Sequence, residues 1–74
     1  MNFYERFRAL KSVMEAYDLD WDDLIDAGFT RGMYDMLAAE YARLVESGEA
    51  QEDPALYEAY RREFDIMFRK KKWS

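Results

Sequence analysis

The chain has no cysteine and no histidine, and only one proline and three glycines in 74 residues. Without cysteine it can build neither a disulfide framework nor a thiolate metal site, which fits a reducing compartment. Without histidine it lacks the side chain that most often carries general acid–base work near neutral pH. The hydroxyls of Ser12, Thr30, Ser47 and Ser74 have no obvious base beside them, and the carboxylates fall on faces that read as solvated, so no nucleophile–base pair is in view. There is no glycine-rich phosphate loop. No stretch approaches the roughly 20 apolar residues of a membrane span, and Met1–Arg6 lacks the apolar core of a secretory signal. These absences set the expectation of a soluble, cytoplasmic, non-enzymatic chain with no cofactor, no metal and no membrane partner.

What is present is hydrophobic, aromatic and charged in quantity: 50%, 18% and 36% of residues respectively. A chain this short forms one domain at most and is marginal unless its core is dense. Aromatic rings supply that density, because each buries a large apolar area. No strand pattern, repeat, low-complexity segment or long linker interrupts the sequence.

Periodicity predicts an all-α fold of four helices, near 3–17, 21–27, 31–47 and 54–70. Asn2 suits an N-cap, with Glu5 completing a capping-box-like pair. Phe3, Phe7, Leu10, Met14 and Tyr17 then form one apolar stripe, widened by Tyr4 and Val13 and flanked by Arg6, Arg8, Lys11 and Glu15. Asp20 can cap a short second helix, and Gly28 can end it in the left-handed conformation. Thr30 caps the third helix, whose apolar face is Met33, Tyr34, Leu37, Ala38, Tyr41, Leu44 and Val45. Gly48 stops it. Asp53-Pro54 restarts a helix, since proline at the first helical position loses no hydrogen bond. Leu56, Tyr57, Tyr60, Phe64, Met67 and Phe68 make its apolar side, with Arg61, Arg62, Glu63 and Asp65 opposite. The expected core is Phe7, Leu10, Met14, Leu24, Ile25, Leu37, Tyr41, Leu44, Tyr60, Phe64 and Phe68.

Charge is unevenly spread. Residues 1–60 carry 5 basic and 14 acidic residues, a net of −9, and residues 61–74 carry 6 basic and 2 acidic, a net of +4. The stretch from Asp18 to Thr30 holds five acidic residues, Asp18, Asp20, Asp22, Asp23 and Asp26, and no basic one. Such a body repels nucleic acid and attracts basic surfaces. The tail Arg69, Lys70, Lys71, Lys72 and Trp73 can act as a hook onto RNA, DNA or an acidic protein patch, or fold back onto Asp18–Asp26. It can equally be the cationic end that a helix C-terminus favours.

Asp18-Leu19-Asp20-Trp21-Asp22 also looks like the start of a calcium loop. Counted from Asp18, however, the sixth and twelfth positions hold Asp23 and Phe29 instead of the required glycine and glutamate.

Leu24, Gly28, Phe29, Thr30, Tyr34 and Leu37 together resemble the helix-turn-helix of phage-repressor type. In that family an apolar or small residue precedes the turn glycine by four, an apolar residue follows it, Ser or Thr caps the recognition helix, and two apolar residues pack back. The resemblance covers about a quarter of the chain. By it, Thr30, Arg31, Gly32, Asp35, Met36 and Ala39 would face a DNA groove. Two departures matter. Leu24 stands where the family usually has alanine, which holds the two helices further apart. The DNA-facing set carries one charge of each sign, and Asp22, Asp23 and Asp26 stand where phosphate contacts are wanted. In size, acidity, aromatic density and lack of Cys and His, the chain is similar to small phage proteins that inhibit host machinery, such as anti-CRISPR proteins and RNA polymerase inhibitors. The resulting expectation is a protein-binding inhibitor or modulator of a nucleic-acid-processing machine. It would meet a basic surface of that machine through its acidic corner. The alternative is a DNA-binding transcriptional regulator.

Overall fold

A computed structural model describes residues 2–73, with side chains through Arg69. The described chain is all-α. Its four helices are α1 (Phe3–Tyr17), α2 (Trp21–Asp26), α3 (Arg31–Ser47) and α4 (Pro54–Trp73). The bounds of α1 and α3 match the periodicity. Helix α2 stops one residue early because Ala27, with ψ at 0°, has already left helical geometry. Helix α4 runs three residues further than expected: no Gly or Pro interrupts 55–73, and cations are favoured at a helix C-terminus.

Helix α1 is central and packs against both α3 and α4. That is why its buried arc, Phe7, Ala9, Leu10 and Val13, is broader than one stripe. Leu24, Phe29, Leu37, Phe64 and Phe68 complete the core, and Met14, Tyr41 and Tyr60 pack partly buried around it. Ile25 corrects the expectation, since it is 50% exposed. Six residues of helix bury only Leu24, and Phe29, beyond the turn, fills the space instead by meeting Phe64 at 6.0 Å between ring centres. On the α3 side, Phe7 lies between Tyr34 and Tyr41, at 5.5 and 5.2 Å, and Tyr41 stacks on Tyr4 at 5.3 Å. These are favourable aromatic separations.

Two polar contacts pin α1 to α4. The Asp53 amide donates to Glu5 Oε1 at 2.8 Å, and the Tyr17 hydroxyl donates to Asp65. Each joins residues 48 apart, so the two helices lie side by side and run in the same direction. Glu5 therefore does not return to Asn2 as a capping box requires. Asn2 accepts from the Glu5 amide at 3.2 Å, while the fully buried Glu5 side chain crosses to the cap of α4. There Asp53 accepts from the Leu56 amide at 3.2 Å. Position 56 is leucine, so the acid that a capping box takes from its own helix is supplied here by α1. Asp65, expected on the outer side, is likewise turned inward towards Tyr17. Arg8 secures the connector by pairing with Glu52 at 2.7 Å while lying 4.8 Å over Tyr57.

At the end of α3, Arg43 spans Glu40 and Glu49, both at 3.1 Å. The Ser47 hydroxyl first, and then Arg43, hold the Glu49 carboxyl below its ordinary value.

Candidate functional site

The acidic corner is built almost entirely from local backbone chemistry. Helix α1 ends as the Leu19 amide donates to Met14 at 2.9 Å and the Asp18 amide to Glu15 at 3.4 Å. That pattern needs a left-handed residue between them, and Asp18 supplies it at φ 51°. Asp20 then accepts from the Asp23 amide at 3.1 Å, and Asp23 accepts from the Asp20 amide at 3.0 Å, a reciprocal capping box. Helix α2 ends in the same way as α1. Phe29 donates to Leu24 and Gly28 to Ile25, both at 3.0 Å, with Gly28 at φ 98°. Thr30 accepts from the Met33 amide at 3.2 Å and starts α3.

This scaffold turns Asp18, Asp20, Asp22 and Asp26 to solvent and leaves Asp23 half-buried. Asp20 and Asp23 are occupied in capping and Asp22 lies in the first turn of α2, where the helix dipole favours an acid, whereas Asp18 and Asp26 are exposed at the ends of α1 and α2. The α2–turn–α3 corner is helix-turn-helix-like: Leu24, Phe29 and Leu37 are buried, with Tyr34 half-buried beside them. The backbones of α2 and α3 nevertheless do not approach as α1 and α3 do. They meet through side chains, with Trp21 edge-on to Tyr34 at 5.2 Å. Leu24 is fully buried beneath that contact.

The residues expected to face DNA fall into three groups. Thr30 is a cap. Arg31 lies 5.3 Å over the Trp21 ring and pairs loosely with Asp35 at 3.7 Å, so its charge is partly answered within the chain. Gly32, Met36 and Ala39 are exposed and uncharged.

Of the basic tail, Arg69 is placed by Asp65 at 2.8 Å and by the Tyr17 hydroxyl at 3.5 Å. The Tyr17 hydroxyl first, and then the Asp65 charge, raise its guanidinium above the ordinary value. Arg61 approaches the same Asp65 at 3.9 Å. Arg69 thus returns to the end of α1. The side chains of Lys70, Lys71, Lys72 and Trp73 lie outside the described residues.

Two surface features escaped the sequence. One is a depression of about 270 Å³ between α2 and α3, floored by Met14 and Leu24, walled by Trp21 and Tyr34, and rimmed by Asp20, Arg31 and Asp35. Its signal was Trp21 within an acidic run, with Arg31 and Asp35 one helical turn apart. The other is a smaller apolar groove of about 120 Å³ lined by Phe3, Arg6, Met33, Met36 and Leu37. Met33 and Met36 are 42% and 59% exposed, and methionine surfaces adapt readily to partners.

Among the described residues, no group of three or more acidic, Cys or His side chains is placed to hold a metal ion. No helix among them is long and apolar enough to cross a membrane. Comparison with protein-family models, curated proteins and solved structures returned no match.

Proposed function

We propose that this protein is a non-enzymatic binding module that inhibits or modulates a nucleic-acid-processing machine by docking its acidic corner onto a basic protein surface. The supporting observation is the exposure of Asp18, Asp22 and Asp26 on a corner whose side-chain capping bonds are made by Asp20, Asp23 and Thr30. Arg31, a cation beside the corner, is already paired with Asp35. A basic groove that normally holds phosphates would receive these carboxylates in their place, with long-range attraction speeding the encounter. Exposed Met33 and Met36 add apolar contact on the same helix as Arg31.

The test is a pull-down from cell lysate with nuclease treatment, followed by binding of the recovered protein to the D18N/D22N/D26N variant. The expected result is a nuclease-resistant protein partner whose affinity and salt dependence both fall in the variant. Unchanged affinity and salt slope would reduce the corner to a capped turn.

The second reading, a DNA-binding regulator, draws on the buried Leu24–Phe29–Leu37 set beneath the turn. It requires a sequence-dependent mobility shift at low salt, and that shift should strengthen in the same triple variant as phosphate repulsion falls.

A further inference from the structure

We infer that the depression between α2 and α3 is a receptor for one arginine side chain of the basic partner. This rests on the reading of the corner as a protein-binding surface and specifies how that surface selects its partner. At about 270 Å³ the depression lies below the ~300–1,000 Å³ of small-molecule sites and suits a single long side chain. Its walls are aromatic and steeply angled: the rings of Trp21 and Tyr34 stand at 77° with centres 5.2 Å apart, over Leu24. Its rim carries two carboxylates, Asp20 and Asp35. Aromatic faces beside carboxylates form an environment for a cation with a flat, weakly hydrated head. That describes guanidinium better than ammonium.

The chain itself shows that the geometry accepts such a group. The Arg31 guanidinium lies 5.3 Å over Trp21 and reaches Asp35 at 3.7 Å. It is a loose resident, with its side chain 75% exposed. An exposed pair at that distance contributes little, so an incoming guanidinium can displace it. Arg31 lines the rim and leaves the depression open, so it competes with an incoming guanidinium for Trp21 and Asp35 without filling the space.

The experiment titrates isotope-labelled full chain at low salt with acetyl-tetra-arginine amide and acetyl-tetra-lysine amide. Resonances of the Trp21 indole and the Tyr34 ring should shift saturably, and the arginine peptide should bind several-fold tighter. Asp35→Asn should weaken arginine-peptide binding about three-fold. Arg31→Gln should strengthen it by a similar factor, because the resident group no longer competes. Both positions are exposed and their mutual pair is loose, so neither variant threatens the fold.

Equal binding of the lysine peptide, or weaker binding by Arg31→Gln, would overturn the arginine receptor. If the peptide shifts only Asp18, Asp22 and Asp26 while Trp21 and Tyr34 stay still, the acidic surface stands and the receptor falls. If no resonance moves with either peptide, both fall.

Discussion

The seam between α1 and α4 and the corner between α2 and α3 are held by opposite means. The seam depends on partners far apart in sequence: Phe64 and Phe68 against α1, Glu5 on the Asp53 amide, Tyr17 on Asp65. The corner's helix ends are closed by groups within a few residues, although Phe29 beneath its turn reaches Phe64 of α4. A region closed by its own caps can display charge outward without weakening the core. A region closed by distant partners has no such freedom. This division places the candidate binding surface on the corner and the bulk of the stability in the seam.

The largest effect should come from emptying the seam. Phe64→Ala, at a fully buried position, is expected to cost about 3–5 kcal/mol in urea unfolding. A cost under 1 kcal/mol would show that the seam is not the main source of stability. Next in size is the polar pin. Glu5→Ala leaves the Asp53 amide without its acceptor beside the core and should cost about 1–3 kcal/mol. Glu5→Gln keeps a carbonyl acceptor and should cost less. Faster amide exchange at Asp53 in the alanine variant alone would identify the hydrogen bond as the cause.

On the corner, Asp20→Ala should cost about 1 kcal/mol by removing a cap. Exchange should quicken in α2 while α1 and α4 stay protected; spread of the effect into α4 would erase the division. Asp18→Gly should go the other way and stabilise by about 0.5–1 kcal/mol, because glycine takes φ 51° without the Cβ cost that aspartate bears there. A fall in melting temperature would contradict the left-handed cap.

The smallest effect concerns Glu49. Its folded carboxyl is held below the ordinary 4.5, so its contribution is complete above that pH and disappears as pH falls through the folded value. The melting-temperature gap between wild type and Glu49→Gln should therefore be present at neutral pH and vanish in strong acid. A gap unchanged by acid would rule out the charged Ser47–Arg43 arrangement.

The same division explains what could be read beforehand. Asn2, Asp20, Thr30, Gly28, Gly48 and Asp53-Pro54 mark helix ends because capping is a short-range code, and the boundaries followed from it. The role of Glu5 was not legible. Periodicity shows which face of α1 is apolar but not that a second helix covers its flank, and so it cannot tell a surface acid from one reaching across. The pairing was present only as a coincidence of spacing, 12 residues from Glu5 to Tyr17 and 12 from Asp53 to Asp65. Ile25 misled for a related reason: in a helix of six residues, hydrophobicity does not identify the inward side. The Trp21–Tyr34 depression needed the angle between α2 and α3, which no local pattern encodes.

The parallel pairing of α1 with α4 also has a kinetic side. Neighbouring helices in a small bundle usually close against each other as they form, whereas here the first helix waits for the last. A contact spanning 48 of 74 residues carries the loop-closure delay more often associated with sheets, so folding should be slow for an all-helical chain of this size. During synthesis, the side of α1 that meets α4 stays uncovered until Phe64 and Phe68 have left the ribosome. A nascent chain arrested before that point should be protease-sensitive throughout α1. In the same chain the self-capped α2–α3 corner, its acidic surface included, can already be taking shape.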